Sequence, residues 1–155
     1  MKRNIIIALT AFLAMSFTFI NTGEVKEEDR VLGVWTSESG LARVKISKLG
    51  KKFYGKIIWL KEPIDPDTGK PKLDKRNPNE KLRSVPTKGL KMFKDFKYAG
   101  DGLWNKGTIY DPKEGKTYSC KITMKDINTL DIRGFVGISL LGKTTVWTRY
   151  KKKKK

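Results

Sequence analysis

Thr117-Tyr-Ser-Cys-Lys-Ile-Thr-Met124 alternates at every step, with Tyr118, Cys120, Ile122 and Met124 on one side and Thr117, Ser119, Lys121 and Thr123 on the other. An extended backbone points successive side chains to opposite faces, so this octet reads as a strand with one face buried and one wet, and it predicts an inert, buried Cys120. The same period sets Ala42, Val44 and Ile46 against Arg43, Lys45 and Ser47, and Leu130 and Ile132 against Asp131 and Arg133. Val31–Thr36, Phe53–Leu60, Leu90–Tyr98, Leu103–Tyr110 and Thr144–Tyr150 bring the candidate strands to about eight. Turn chemistry separates them at Leu49-Gly50-Lys51, Asp111-Pro-Lys-Glu-Gly115 and Asp126-Ile-Asn128, where Pro presets φ and Gly accepts positive φ. With no strongly amphipathic helix between them, the strands predict an all-β, antiparallel sandwich or barrel.

One segment breaks the rhythm. Residues 61–89 carry Pro63, Pro66, Pro71, Pro78 and Pro86 among Asp, Asn, Lys and Gly, a composition that resists both helix and central strand. A connection of that length in a small domain is either a lid or partner site, or an insertion packed only on itself.

Composition narrows the chemistry. The chain has 155 residues, a net charge of +18, one Cys and no His. That length supports one domain with a real core. Without His there is no Ser-His-Asp triad, no imidazole-ligated zinc and no imidazole pH switch, and one Cys forms neither a thiolate zinc site nor an intramolecular disulfide. The predicted organisation is a signal peptide over residues 1–22, one barrel domain over 23–150 and a basic tail over 151–155. Met1-Lys-Arg-Asn4 precedes an apolar run, Ile5 to Leu13, of signal-peptide rather than membrane-span length, which predicts an exported protein, periplasmic or secreted. A retained N-terminal anchor is the alternative.

Without residues 1–20 and the five terminal lysines, the body still has 27 basic and 16 acidic residues, a net +11. The excess is mostly Lys, a hydrated point charge, rather than the Arg that reads phosphates and bases through a fork. This points away from nucleic acid and toward diffuse attraction to an anionic membrane or envelope polysaccharide, or toward a merely well-solvated surface.

Several motifs fail in their context. Gly137-Ile-Ser-Leu-Leu-Gly142-Lys143-Thr144 fits the phosphate-binding loop pattern, but that loop needs a helix starting at its Lys, and Thr144-Thr-Val-Trp-Thr-Arg-Tyr150 is strand-like. Arg133-Gly-Phe-Val136 starts like an RNA-binding strand motif and departs from it at the next positions. Asp65-Pro-Asp67-Thr-Gly69 matches the front of a calcium loop, but Arg76 stands where the closing Glu belongs and Lys70, Lys72 and Lys75 repel a cation. Asp111, Glu114, Asp126 and Asp131 supply carboxylates with nothing in the spacing to make a pair converge. No catalytic residue, metal site or cofactor is predicted.

Two ends of the body match each other. Gly33-Val-Trp35 opens the first body strand and Trp147-Thr-Arg149 closes the last. Between them lie Tyr54-Gly-Lys-Ile57, Trp104 with Gly107, Ile109-Tyr-Asp-Pro-Lys-Glu-Gly-Lys-Thr-Tyr-Ser-Cys120 and Leu130-Asp-Ile-Arg-Gly-Phe-Val-Gly-Ile-Ser-Leu-Leu-Gly142. The series resembles the bacterial exported domain-of-unknown-function family 2147 of the lipocalin-like, or calycin, superfamily, from about Val31 to Tyr150. The resemblance implies an eight-stranded antiparallel barrel closed by Gly33, Trp35, Trp147 and Arg149, with the Trp35 indole packed against Arg149. It implies no catalytic residues. A barrel of this size holds side chains or one small ligand. Phe53, Trp59, Trp104, Tyr118 and Ile122 are the candidate cavity lining, although such bulky groups also suffice to fill it. Binding of a small apolar or amphipathic ligand by a monomer is the first functional expectation. An envelope interaction module is the second, and an enzyme using carboxylates or Tyr the third.

Overall fold

The computed structural model describes residues 25–152, so the expected signal segment 1–22 and the last three tail lysines lie outside the described residues. Eight antiparallel strands follow one another around a closed barrel: β1 Gly33–Thr36, β2 Ala42–Leu49, β3 Lys52–Leu60, β4 Lys91–Gly100, β5 Leu103–Asp111, β6 Lys116–Asp126, β7 Thr129–Phe135 and β8 Lys143–Arg149. β8 returns to β1 with Trp35 opposite Arg149 and Thr36 opposite Thr148. The first strand starts at Gly33 rather than at Val31, because Glu27–Val31 winds into a 3-10 turn whose carbonyls have other partners. The phosphate-loop pattern is a turn into β8, which begins at Lys143.

The alternation is interrupted where the barrel must bend. Asp95 in β4 and Lys106 in β5 have φ of 62° and 58°, the left-handed region that side chains seldom adopt. Each sits at a break in register, so Phe93 and Phe96, three residues apart, both face inward, as do Trp104 and Gly107. The two irregularities fit together. A Cβ on Gly107 would lie 2.4 Å from the Phe96 ring, so the missing side chain is the space that the ring occupies.

The end of the barrel below Trp35 is sealed by the 3-10 turn, and side chains from the wall hold its carbonyls. Trp35 Nε1 donates to Val31 O at 2.8 Å and Trp104 Nε1 to Glu28 O at 3.2 Å. Lys48 Nζ reaches Asp29 at 2.8 Å and Glu28 at 3.0 Å. Arg149 makes the largest contribution: its guanidinium lies 4.1 Å from the Trp35 ring centroid and donates to Leu32 O at 2.8 Å, Arg30 O at 2.6 Å and Ile127 O at 2.6 Å. Gly33 has φ of +124°, and a Cβ there would lie 2.9 Å from Arg149 Nη1. Both the backbone angle and the guanidinium exclude a side chain at that position.

Arg149→Ala should therefore cost about 2–4 kcal/mol, more than a cation–π contact alone, since it leaves three carbonyls to be satisfied elsewhere. Trp35→Ala should cost about 3–5 kcal/mol. Urea denaturation of both variants and the double variant should show a coupling of about 1–3 kcal/mol. Strict additivity would mean that the stack contributes nothing.

Candidate functional site

The barrel interior divides in two. Next to the sealed end, Phe53 and Trp104 meet edge to face at 6.2 Å and Phe93 and Phe96 at 5.7 Å, with Trp35, Ile122, Leu130 and Ile132 buried around them. That half is full. Beyond Trp147, whose indole leans on Phe93 at 5.3 Å, a cavity of about 660 Å³ runs to the opposite mouth. Ala42, Ile57, Leu60, Met92, Ile109 and Trp147 form its aliphatic and aromatic wall, and its charged residues are four lysines, Lys72, Lys75, Lys113 and Lys143, with four carboxylates, Glu38, Glu62, Asp65 and Asp111.

The Pro-rich connection 61–89 completes the wall, with Leu73 and Thr87 facing the cavity. It contains no strand beyond two isolated bridges, Ile64 with Pro71 and Leu73 with Pro86. Its anchor is Asp74, fully buried, which accepts from Tyr110 Oη at 2.7 Å and from Asn77 Nδ2 at 2.7 Å. Arg76 Nη1 adds a bond to Lys113 O at 2.8 Å on the β5–β6 turn. Burial, then the Asp74 carboxylate beside it, pushes the Tyr110 phenol well above the ordinary tyrosine value, because the neutral hydroxyl is the form that both favour. The connection is thus tied down on the outside of the barrel while its inner edge lines the mouth. Asp65, at the front of the calcium-like motif, accepts from Asp67 N at 3.0 Å and pairs with Lys75 at 2.5 Å, an Asx turn whose carboxylate already has its cation.

At the mouth the cations differ in their partners. Lys72 pairs with Glu62 at 3.1 Å and Lys75 with Asp65, whereas Lys113 and Lys143 form no ion pair among the described residues. Glu38 accepts from the backbone N–H of Val146 at 3.0 Å. Two uncommitted ammonium groups therefore stand at the edge of an apolar space.

None of the five residues expected to line the cavity does so. Phe53, Trp104 and Ile122 belong to the filled half, and Trp104 reaches only a smaller recess of about 190 Å³ beside Glu27 and Met124. Tyr118, half-buried near the β5–β6 turn, donates its hydroxyl to Glu114. Trp59 was displaced by a break in register between Arg43 and Val44, which pairs Val44 with Ile57 but Arg43 with Trp59. One extra residue on β3 carries the indole to the outer surface, where the Arg43 guanidinium lies 4.1 Å from it and 3.8 Å from the Tyr150 ring. The same shift turns Leu60 inward opposite Ala42. Of the closure residues, Gly33, Trp35 and Arg149 meet at the sealed end, and Trp147 also floors the cavity. Cys120 is buried, and desolvation pushes its thiol up to about 12, which leaves it protonated and unreactive at neutral pH.

This geometry can be set beside known proteins. The family model described as an uncharacterized protein conserved in bacteria, DUF2147, matches residues 33–149. The chain belongs to that family. A solved structure from the human pathogen Helicobacter pylori, described as belonging to the lipocalin family, is similar to this DUF2147 chain at 28% identity with a TM-score of 0.66, covering 77% of this chain and 82% of that one. No curated protein matches significantly. The DUF2147 barrel is lipocalin-like, an architecture suited in general to holding a small ligand.

The Tyr110–Asp74 anchor should be visible at high pH. A phenol whose folded pKa is raised stabilises the fold fully below the unfolded value of about 10, and that contribution is lost as pH rises from there through the raised folded value. Tyr54, Tyr98 and Tyr118 are also raised, so Tyr110→Phe should remove only part of the alkaline decline. Melting temperatures taken from about pH 8 to 11 should fall less steeply for Tyr110→Phe than for wild type, with the variant starting lower because Asp74 loses a donor. Parallel curves would show that the hydroxyl contributes nothing to the difference.

Proposed function

We propose that this DUF2147 barrel is a non-catalytic binding protein for a small amphipathic molecule, with the apolar body in the cavity and an acidic head at the mouth. The observation that carries the reading is the cavity of about 660 Å³, walled by aliphatic side chains and floored by Trp147. Specific sites for small molecules are mostly apolar spaces of about 300–1,000 Å³ with a few placed polar groups. Lys113 and Lys143 supply such groups and, having no internal partner, lose nothing by turning to an anionic head. The short basic head and the apolar run Ile5 to Leu13 support a location outside the cytoplasm, where the lysine-rich surface also offers an envelope contact.

Dodecanoate and dodecanol test the two halves of the reading separately. Both should change the emission of Trp147, and the change should disappear in Trp147→Phe while the other three tryptophans remain. Ala42→Phe with Ile109→Phe, which narrows the space, should weaken both ligands by at least about tenfold. Lys113→Gln with Lys143→Gln should weaken dodecanoate and leave dodecanol unchanged. Unaltered binding in the narrowed variant would place any ligand site elsewhere. Intact-mass measurement of protein from its native cell should find the mature N-terminus between Phe17 and Glu24.

A further inference from the structure

The turn between β7 and β8 exposes more apolar surface than any purpose inside the barrel explains. Val136, Ile138, Leu140 and Leu141 are 74%, 61%, 79% and 78% exposed, within six residues. Water ordinarily disfavours such a cluster, and a soluble surface tolerates large aliphatic groups singly rather than massed at one tip. The backbone behind them is fixed rather than loose. Arg133 donates from Nε to Ser139 O at 2.6 Å, from Nη2 to Leu140 O at 2.9 Å and from Nη1 to Thr144 Oγ1 at 2.8 Å, while Lys121 Nζ bonds Ser139 Oγ at 3.3 Å. A forked cation thus occupies the carbonyls of the turn from the barrel side. The leucine side chains are left outward, and two of the polar groups that would resist leaving water are already satisfied.

We propose that this tip docks on an anionic phospholipid surface, with Leu140, Leu141, Ile138 and Val136 entering the boundary between head groups and acyl chains. Charge complementarity selects that occupant. Lys121, Arg133 and Lys143 flank the apolar turn, and none forms an ion pair among the described residues, so a layer of phosphates meets three charges without a counter-ion, Arg133 and Lys121 acting through their charge while they hold the turn. Apolar groups at the tip with basic groups one layer behind reproduce the order of acyl chain and phosphate in a leaflet. Lys143 belongs both to this cluster and to the cavity wall, so docking brings the mouth of the barrel to the lipid. The inference holds whether or not the cavity takes a ligand.

The test uses full-length protein sedimented with vesicles of phosphatidylethanolamine and phosphatidylglycerol, and with vesicles of phosphatidylcholine alone. Wild type should pellet with the first and much less with the second, and should keep part of its binding at about 0.5 M salt, where attraction between charges alone is screened. Leu140→Ser with Leu141→Ser, which changes no charge, should lose at least about tenfold in vesicle affinity while keeping the melting temperature and the dodecanol response of wild type. Arg133→Gln should weaken binding less, through loosening of the turn and loss of one charge. Equal binding of the serine variant and wild type overturns the proposal and leaves the basic surface as the whole attraction. Sedimentation velocity supplies a second refutation: a wild-type dimer that the serine variant dissolves, with vesicle binding unchanged, would make the tip a contact between copies.

Discussion

The Arg149 guanidinium is the point at which the barrel is tied shut. Its fork joins carbonyls from Arg30 and Leu32, in and after the 3-10 turn, to the carbonyl of Ile127 on the β6–β7 turn, and its flat face covers Trp35. A Lys at this position would supply one charge without a planar fork, and an apolar residue would leave three carbonyls without donors. Gly33 is bare because the guanidinium needs the space, and the Trp35 and Trp104 indoles use their single N–H groups on the same turn. One charged group therefore joins the end of β8 to two other parts of the chain, residues 30–35 and the β6–β7 turn.

With that end sealed and filled, the other end can stay open. An unfilled aliphatic space forfeits dispersion contacts along its whole lining, and a small domain tolerates this only if its packing elsewhere is dense. The aromatic cluster of Phe53, Phe93, Phe96 and Trp104 supplies that density. Tight approaches such as the Phe96 ring on Gly107 show that little room remains there. The cavity begins where the phenylalanines stop, at Trp147.

The number of strands, their antiparallel order and most turns follow from period-two alternation and from Pro and Gly placement, because these are local consequences of backbone geometry. The partnership of Trp35 with Arg149 was reachable only through a resemblance, since nothing local joins residues so far apart. The cavity was misplaced for a definite reason. Parity counted along β3 puts Trp59 beside Phe53 and Ile57, and a single bulged residue, set by pairing with β2, reverses it. Size also misled: large rings fill the interior, and smaller residues such as Ala42 and Met92 leave the space. The buried Asp74 was invisible because its partner, Tyr110, lies 36 residues away and alternation along β5 says nothing of what covers the outer face.

Closure across β1 and β8 is also the one strand pairing that local zipping cannot supply. The bond from Arg149 to Leu32 spans 117 residues, whereas every other strand pair joins neighbours along the chain and can zip from its own turn or connection. Loop-closure entropy makes so distant a pairing the costliest of the eight to bring together. Until it forms, an up-and-down sheet has two bare edges, with unpaired N–H and C=O groups able to recruit another chain. A weakened Arg149 would then be felt not only as a lower melting point but as time spent with open edges, and so as aggregation during refolding.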